Sequence, residues 1–361
     1  MKVALVYDWV NKFGGAERVL EVLHEIYPNA PLYTSVYNPN LASWALEFKV
    51  KPSFLNKFPL AKNHHELYPF LTPLAFESFD FSDFDLVISV TSAHAKGILT
   101  LPSTCHICYC LTPTRYLYSG FKDYFKNKYF LFLSRPLLKY LKSWDKVASC
   151  RPDFYISISE NVKKRIKKYY LKDSEIVYPP LDTDKFFIKD NKISDYFLVV
   201  SRLVNYKKVD LVIKAFNELG WPLKIVGEGK QMTKLKSLAK KNIEFLGRLT
   251  DSKLVGYYQN CRAVIFSQEE DFGLVPLEAQ ACGRPVLAFR GGGALETVIE
   301  GRTGTFFYPQ TQKALMEALK EFKVRDFDPE ICRKNAELFN KGNFKKNFKQ
   351  AVESRYKKWQ K

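Results

Sequence analysis

The stretch RAVIFSQEEDFGLVPLEAQACG, Arg262 to Gly283, decides the fold of its half of the chain. Its first six residues form a short apolar run of the kind that makes a buried strand, and a polar loop follows. Pro276 suits the first turn of a helix, and Gly283 suits the position just past its end. The pattern therefore predicts a strand, then a loop at the strand's carboxyl end, then a helix.

Two carboxylates, Glu270 and Glu278, flank Gly273 in this stretch. The backbone N–H groups of Gly273, Leu274 and Val275 are predicted to lie at a helix N-terminus, where a phosphate binds favourably. An ionised carboxylate accepts strong hydrogen bonds, so we expect the two glutamates to face sugar hydroxyls rather than phosphate. The alternative is an ordinary helix N-terminus, with Glu278 as a favourable acid and Glu270 in solvent.

Short apolar runs alternate with helical patterns along the whole chain. Such alternation is typical of parallel strands covered on both faces, so we predict an α/β fold with two Rossmann-like, doubly wound domains. The predicted domains are residues 1–178 and 179–339, with a C-terminal helix 340–361 joining the first; the boundary lies in the turn-rich YPPLDTDKF, Tyr178 to Phe186. The predicted strands are KVALVYD, PLYTSVY, FDLVISV, HICYC, DFYISIS, YFLVVSRL, PLKIVG, IEFLG, RAVIFS, PVLAF and GTFFY.

The composition argues against several classes of protein. A chain of 361 residues fits two domains, and 46% hydrophobic with 26% charged residues is typical of a globular protein. No apolar run reaches the roughly 18–20 residues that cross a bilayer, and Asp8 comes too early for a signal peptide. Seven cysteines without a secretory signal favour reduced thiols, so we expect a cytoplasmic protein.

Positive charge, net +18 over the chain, is concentrated in two stretches. Residues 115–168 contain fourteen Lys or Arg and four Asp or Glu, and residues 331–361 contain ten and two. Such clusters favour a phosphate-rich partner, namely a nucleotide, an anionic membrane surface or nucleic acid, and the alternative is a solvated, lysine-rich surface. No nucleic-acid motif is present, so we expect no nucleic-acid partner. The aromatic and basic segment 115–142 could rest on the inner face of the cell membrane. The alternative is that its aromatic residues pack inside while its lysines face water.

Two cations follow a predicted strand in YFLVVSRLVNYKKVDLVIKAF. Arg202 comes directly after the strand, and Lys207 follows five residues later, before an amphipathic helix. In a doubly wound sheet this position lies in the ligand crevice, where both side chains could neutralise a diphosphate without a metal. The alternative is an exposed basic loop. Glycine turns after other strands could also approach a ligand closely, namely Gly14 and Gly15, Gly227 and Gly229, and Gly291 to Gly293.

Two motifs look like metal sites but are better explained in other ways. Cys105, Cys108 and Cys110 contain a C-x-x-C without a second ligand pair, so alternation within a strand explains them better. The acids of the DTD sequence, Asp182 to Asp184, lie in a proline-rich turn, where turn and cap chemistry accounts for them. We therefore expect neither a metal nor another cofactor.

The motifs GGAER, SRLVNYK, GEG, EFLG, EEDFG–PLEAQACGRPV and GGGALE resemble family 4 of the retaining glycosyltransferases, over essentially the whole chain. The resemblance implies the GT-B fold, two Rossmann-like domains that face each other across a cleft. DWV–GGAERVLE, CYCLTPTRYLY and YPPLDTDKF are similar to bacterial mannosyltransferases that build lipopolysaccharide O-antigens and other surface glycans. The implied donor is GDP-mannose and the implied acceptor a lipid-linked or growing glycan. A UDP-sugar donor and a non-catalytic sugar-nucleotide-binding protein are the alternatives.

The resemblance also implies roles at matching positions. Arg202 and Lys207 would bind the donor diphosphate, Glu278 the ribose hydroxyls and Glu270 the transferred sugar. The implied donor-binding set is Gly14, Gly15, Arg202, Lys207, Gly227, Gly247, Leu249, Glu270, Phe272, Gly273, Leu274, Val275 and Glu278, and the implied catalytic set is Arg202, Lys207, Glu270 and His94.

In the first half, the candidates on the acceptor side are His94 and Arg115. A structural or solvent-facing role is the alternative for His94. Many members of the family that this chain resembles carry histidine at the position of Leu111, and this departure puts the activity in question.

Overall fold

The computed structural model describes residues 1–119, 128–189 and 193–361 of the chain. They form two compact units, Met1–Pro180 with Phe344–Lys361, and Leu181–Asn343. The sequence pattern places the corresponding boundaries after residues 178 and 339. Each unit is built on a parallel β-sheet with helices between successive strands, so the predicted α/β class with two doubly wound domains is confirmed.

The first unit contains, in its described residues, a seven-stranded parallel sheet. Its strands are β1 (Val3–Tyr7), β2 (Leu32–Thr34), β3 (Val50–Pro52), β4 (Leu86–Thr91), β5 (Cys105–Cys110), β6 (Phe154–Ser157) and β7 (Ser174–Ile176). Its helices include α1 (Gly15–Ile26), α2 (Thr72–Glu77), α3 (Lys128–Ala148) and α4 (Glu160–Tyr170). The strand order is β3-β2-β1-β4-β5-β6-β7, so the direction of winding reverses between β1 and β4.

Burial explains why the central strands form where they do. β1 and β4 are buried along their whole length, which suits their continuous apolar runs. Helix α1 buries Val19, Leu20, Val22 and Leu23 on one face, the spacing of an amphipathic helix.

Two strands that the sequence patterns do not predict lie at the edges of this sheet. β3 is largely exposed, and its Pro52 lacks the N–H that a central strand needs. β7 is only half-buried. Neither strand has the continuous apolar run that marks the buried strands, so the hydrophobic pattern gives no signal for them.

The second unit contains, among the described residues, a six-stranded parallel sheet. Its strands are β8 (Phe197–Val200), β9 (Leu223–Val226), β10 (Ile243–Gly247), β11 (Val264–Phe266), β12 (Val286–Phe289) and β13 (Gly304–Phe307). Its helices include α5 (Val209–Leu219), α6 (Met232–Leu238), α7 (Asp251–Asn260), α8 (Leu274–Ala281), α9 (Ala294–Thr297), α10 (Gln312–Glu321) and α11 (Pro329–Glu337). The order is β10-β9-β8-β11-β12-β13, and the winding reverses between β8 and β11.

Helix α5 illustrates how this second sheet is covered. It buries Val209, Val212, Ile213 and Phe216 on one face, and these pack into one apolar core with residues of β8, β9 and β12. The helix ends at Gly220, whose φ of +70° favours glycine and whose N–H donates to the Phe216 carbonyl at 2.9 Å.

The last helix, α12 (Lys341–Trp359), packs on the first sheet. Phe344 and Phe348 are buried, and their ring centres lie 6.1 Å and 5.5 Å from that of Tyr109 on β5. Arg355 pairs with Glu175 on β7 at 3.1 Å. The C-terminal helix therefore belongs to the first unit through apolar packing.

Within the described residues, no helix combines the length and apolar character that crossing a bilayer requires. Residues 120–127 of the basic aromatic segment lie outside the described residues. In α3, which covers the later part of that segment, Phe132 and Leu133 are exposed whereas Leu141 is buried. The prediction of membrane contact stays a prediction.

Candidate functional site

Polar side chains follow β8 and β11, the two strands between which the winding of the second sheet reverses. Arg202 and Lys207 follow β8, and Glu270 follows β11. In open parallel sheets the carboxyl ends of such strands border the usual ligand crevice. The sequence-predicted cations and the first glutamate therefore lie where the topology favours a ligand.

Lys207 and Glu270 contact each other directly. The Lys207 ammonium pairs with the Glu270 carboxylate, and the two side chains expose only 11% and 19% of their surface. Lys207 Nζ also lies 5.1 Å from the ring centre of Tyr206, within the range of a cation–π interaction. Because the pair is largely shielded from water, its charges are more strongly coupled than those of a surface ion pair.

The loop that carries Lys207 is fixed by its own turn conformation and by a hydrogen bond from the neighbouring strand's end. It forms a short 3₁₀ turn, Asn205–Lys207, and Lys208 then adopts the left-handed conformation at φ +55°. Ser267, the first residue past β11, donates its hydroxyl to the Lys207 carbonyl at 3.1 Å. The backbone of one loop is thus tied to the end of the neighbouring strand.

Arg202 is exposed, but its guanidinium is held in place. Its Nη2 donates to the Tyr206 hydroxyl at 2.7 Å. A guanidinium has five N–H donors in a fixed plane, so one such bond orients the others. The arrangement suits recognition of an anion with several oxygen atoms.

Helix α8 follows the loop that carries Glu270. Gly273 precedes it with a φ of +98°, a conformation that favours glycine, and an added Cβ would lie 3.3 Å from the Phe266 ring. Leu274 and Val275 form the first turn and are half-buried. Their N–H groups lack helical partners by geometry, so they are suited to an anion.

Glu278 lies further along α8 and is almost completely buried. The hydroxyl of Tyr258, on α7, donates to its Oε2 at 2.7 Å. Tyr258 itself is fully buried. A buried carboxylate that is oriented by a hydrogen bond can accept further bonds in a defined direction.

The glycine run after β12 packs against the Glu270 loop. The N–H of Gly293 donates to the Glu270 carbonyl at 2.9 Å. An added Cβ on Gly293 would lie 2.1 Å from the Phe272 carbonyl oxygen, and one on Gly292 would lie 2.4 Å from the Glu270 carbonyl oxygen. Side chains at these two positions would displace the loop that carries the glutamate.

The glycines after β9 lie against the residues that follow β8, and Gly247 ends the neighbouring strand β10. An added Cβ on Gly227, at φ +129°, would lie 1.9 Å from the Ser201 carbonyl oxygen. The N–H of Gly227 donates to the Gly247 carbonyl at 2.8 Å, and Gly247 has a φ of +66°. Leu249 follows β10 and is half-buried. These predicted donor-binding residues thus belong to the same edge of the sheet as Arg202.

In the first unit, His94 follows β4 and is buried. Its Nε2 lies 2.9 Å from the Tyr116 hydroxyl, and its ring centre is 5.5 Å from that of Trp144. Burial lowers the pKa of His94 to about 4, with a further contribution from Lys96. The imidazole is therefore neutral at pH 7 and can both donate and accept a hydrogen bond.

The candidate Arg115 and the departure Leu111 both follow β5. Leu111 comes directly after that strand, and its N–H donates to the Thr91 carbonyl at 2.8 Å. Arg115 is half-buried at the start of the 3₁₀ turn Arg115–Leu117. Both lie at the same sheet edge as His94, because carboxyl ends of neighbouring parallel strands share an edge.

The Gly14–Gly15 turn meets a carboxyl group of the chain itself. Glu17, in the first turn of α1, is buried and accepts a hydrogen bond of 2.6 Å from the Tyr7 hydroxyl. Its Oε2 lies 3.3 Å from where a Cβ on Gly14 would be. Burial raises the pKa of Glu17. The backbone amides predicted to reach a phosphate therefore have a buried carboxyl beside them, and the phosphate role stays a prediction.

The two metal-like motifs have ordinary surroundings. Asp182 pairs with Lys341 at 2.8 Å and accepts the Lys185 N–H at 3.1 Å, so it acts as a turn cap. The three cysteines of β5 are all buried in the sheet.

Sequence patterns do not reveal three residues that shape this site. Tyr206 carried a weak signal, because it lies in the same loop as both cations. Ser267 could have been found as the first polar residue past β11. Tyr258 lies 20 residues before Glu278 and has no motif, so only the structure identifies it.

Comparison with known proteins identifies a matching family in the second unit and relatives that share more than half of the chain. Residues 182–339 match the family described as glycosyl transferases group 1. D-rhamnosyltransferase WbpZ of Pseudomonas aeruginosa is 29% identical over 231 residues, which cover 60% of each chain. O-antigen chain mannosyltransferase C of Escherichia coli is 26% identical over 214 residues, 55% of this chain and 57% of that protein. The chain spans about three fifths of the length of the curated relatives it matches.

A solved structure extends the likeness to both units. HepE of Anabaena, crystallised in complex with UDP, matches with a TM-score of 0.73 over 98% of this chain and 100% of that chain, at 16% identity. At this identity the likeness shows the fold alone. It confirms the predicted GT-B class, in the sense of two parallel-sheet α/β domains.

Proposed function

We propose that this chain is a retaining, metal-independent glycosyltransferase that transfers mannose from GDP-mannose to a lipid-linked or growing glycan of the cell surface. The observation that carries the proposal is the shielded Lys207–Glu270 pair, next to Arg202 and the N-terminus of α8, at the reversal point of a group 1 domain. A sugar nucleotide offers one diphosphate and many hydroxyls. Cations and helix N–H groups suit the diphosphate, while carboxylates suit the hydroxyls.

In the proposed reaction the acceptor hydroxyl attacks the anomeric carbon on the face from which the diphosphate leaves. The bond from the anomeric carbon to the phosphate oxygen breaks, a glycosidic bond of the same configuration forms, and the leaving phosphate oxygen takes the acceptor proton. Arg202, Lys207 and the amides of α8 stabilise the charge on the leaving diphosphate. This route needs no protein nucleophile, unlike glycosidases that place two carboxylates about the scissile bond.

Glu270 and Glu278 take different parts in this proposal. Glu270 binds the hydroxyls of the transferred sugar, and its pairing with Lys207 keeps it beside the diphosphate cation. Glu278, oriented by Tyr258, binds the ribose hydroxyls. No step requires a metal, because the positive charge comes from side chains.

Two relatives support a mannose-type sugar, since their names specify transfer of D-rhamnose and mannose. The UDP complex of HepE keeps a UDP-sugar as the competing donor. The nucleoside can be identified by thermal shift with GDP, UDP, GDP-mannose, UDP-glucose, UDP-galactose and UDP-N-acetylglucosamine. A ligand at 100 times its Kd stabilises the native state by about 2.7 kcal/mol, so we expect the largest rise in Tm with GDP-mannose. A larger rise with a uridine compound would reject GDP-mannose and leave the enzyme class in place.

Transfer is tested with the donor that binds and a polyprenyl-diphosphate-linked glycan as acceptor, in buffer with EDTA. We expect the product anomer to have the configuration of the donor sugar, as read from one-bond C–H couplings by NMR. Inversion, or dependence on an added divalent ion, would contradict the proposed mechanism. Donor binding without transfer to any such acceptor would favour a non-catalytic sensor.

Peripheral membrane contact is part of the proposal because the acceptor carries a lipid. The exposed Phe132 and Leu133 on α3, among basic residues, suit an anionic leaflet. Flotation with liposomes containing anionic lipid is expected at low salt and lost at high salt. No flotation at low salt would remove this part.

A further inference from the structure

An open cavity of about 610 Å³ lies in the first unit, apart from the residues discussed so far. Its lining is rich in amide side chains and has two cations but no acid. The polar lining residues are Asn38, Asn40, Asn56, Asn63, Lys57 and Lys62. They come from the segments that follow β2 and β3, and so lie at the carboxyl edge of the first sheet.

The amide oxygens of this cluster are engaged by the protein. Asn56 Oδ1 accepts the Tyr37 N–H at 2.8 Å, and Asn63 Oδ1 accepts Asn38 Nδ2 at 2.5 Å. For the Nδ2 groups of Asn56 and Asn63 the described parts of the chain offer no partner. The side-chain amides of Asn56 and Asn63 are therefore held by their oxygens, and their N–H groups remain available to a ligand.

The backbone around the cavity is held in an uncommon conformation. Leu60, which lines it, has a φ of +58°, in the left-handed region that residues with side chains rarely adopt. Its carbonyl accepts the N–H groups of Asn63 and His64 at 3.1 Å and 2.8 Å. This turn fixes Asn63 against the cavity, and strained turns of this kind are common in binding loops.

The lining combines three kinds of contact. Amide donors suit hydroxyl groups, and the half-exposed Phe58 ring with Leu60 suits the C–H face of a sugar ring. Lys57 and Lys62 are exposed, and the described residues supply no ion-pair partner for either. Two unneutralised ammonium groups beside hydroxyl-binding amides select a ligand that carries negative charge.

We propose that this cavity binds a saccharide that carries a phosphate or carboxylate group. The hydroxyls bind the amides of Asn56 and Asn63, the apolar face of the ring packs on Phe58, and the anionic group lies between Lys57 and Lys62. Identification of this saccharide as the acceptor rests on the proposed function, whereas its binding does not.

The test uses the full chain and ligand-observed NMR titrations with four probes: mannose 6-phosphate, glucuronic acid, methyl α-mannopyranoside and inorganic phosphate. The two anionic sugars are expected to bind about fivefold more tightly than the neutral glycoside, as two exposed charge contacts allow. K57Q/K62Q should remove this preference, and Asn63→Ala should weaken all three sugars. The control K163Q/K164Q changes two lysines of α4 and should leave every Kd unchanged.

Each other outcome counts against the proposal. Inorganic phosphate that binds as tightly as mannose 6-phosphate would show a simple anion patch. Equal binding of neutral and anionic sugars, or Kd values that K57Q/K62Q and Asn63→Ala leave unchanged, would place the saccharide elsewhere. Absence of binding by every sugar to a folded chain would overturn the site. The donor thermal shifts and the transfer assay are independent of these titrations, so failure of the proposed function is recognised separately.

Discussion

The Lys207 ammonium contacts the Glu270 carboxylate and thereby joins the loop after β8 to the loop after β11. These residues come from two segments that are more than sixty positions apart in the sequence. Their pairing sets the charge of the crevice, because the cation is partly neutralised by one carboxylate before any anion binds. A diphosphate must therefore compete with Glu270 for Lys207. The Glu270 carboxylate that is released can then accept a hydrogen bond from a sugar hydroxyl.

Replacing Lys207 should reduce catalysis strongly. We expect Lys207→Gln to lower kcat about 100-fold or more, because it removes a preorganised charge from the leaving diphosphate. Steady-state transfer assays provide the measurement. Lys214→Gln, at an exposed position on α5, is the matched control and should retain wild-type rates. Equal rates in all three proteins would remove Lys207 from the mechanism.

Removing the Tyr258 hydroxyl should weaken donor binding. The buried Glu278 carboxylate would lose a charge-assisted hydrogen bond, which costs about 1.5–3 kcal/mol. Part of this cost reduces the stability of the fold, and the rest reduces the affinity for the donor. We expect Tyr258→Phe to raise the donor Kd about tenfold by calorimetry. Tyr196→Phe removes a hydroxyl that donates to the Tyr257 carbonyl at 2.9 Å and serves as the control. A Kd that rises equally in both variants would show a general loss of stability.

Much of the fold follows from apolar runs. β1 and β8 are predicted because buried parallel strands need side chains that are apolar on both faces. β3 and β7 are not, because short edge strands need no such run and are specified by their neighbours. The same reasoning predicts that Arg202 lies beside the ligand crevice, since it comes directly after a central strand.

The site is less predictable than the fold. The contact between Lys207 and Glu270 depends on the left-handed Lys208 and on the Ser267 hydrogen bond, neither of which has a periodic signal. The orientation of Glu278 depends on a tyrosine of another helix. Tertiary contacts of this kind arise from packing between elements, so a local pattern cannot contain them.

Adding a methyl group to Gly293 should disturb the Glu270 loop. The new Cβ would lie 2.1 Å from the Phe272 carbonyl oxygen, so the backbone must shift. We expect Gly293→Ala to destabilise the second unit by about 1–3 kcal/mol and to reduce transfer, because Glu270 moves with the loop. Thermal unfolding and transfer rates give both quantities.

Gly256→Ala is the control for this substitution. Gly256 lies in α7, and an added Cβ there has no atom within 4 Å. Alanine in a helix should raise stability by about 0.5–1 kcal/mol without changing the rate of transfer. Full activity and stability in Gly293→Ala would show that the glycine run tolerates side chains and does not position Glu270.

His106 should make the first unit sensitive to mild acid. It is fully buried on β5, and its Nε2 lies 2.8 Å from the Ser89 hydroxyl. Burial, with a smaller contribution from Arg151, lowers its pKa to about 3. The unfolded state therefore takes up a proton near pH 6.5 while the folded state does not. The free energy of unfolding is therefore highest above that pH and decreases as the pH falls toward 3. Between pH 7.5 and 5 the decrease is about 2 kcal/mol.

Urea unfolding of wild type and His106→Gln at pH 7.5 and 5.0 measures this effect. Tryptophan fluorescence reports mainly the first unit, because Trp9, Trp44, Trp144 and Trp359 lie in it. Glutamine cannot titrate, so the variant should lose about 2 kcal/mol less than wild type between the two pH values, while other groups cancel in the comparison. The same loss in both proteins would mean that the imidazole of His106 is solvated or protonated in the native state.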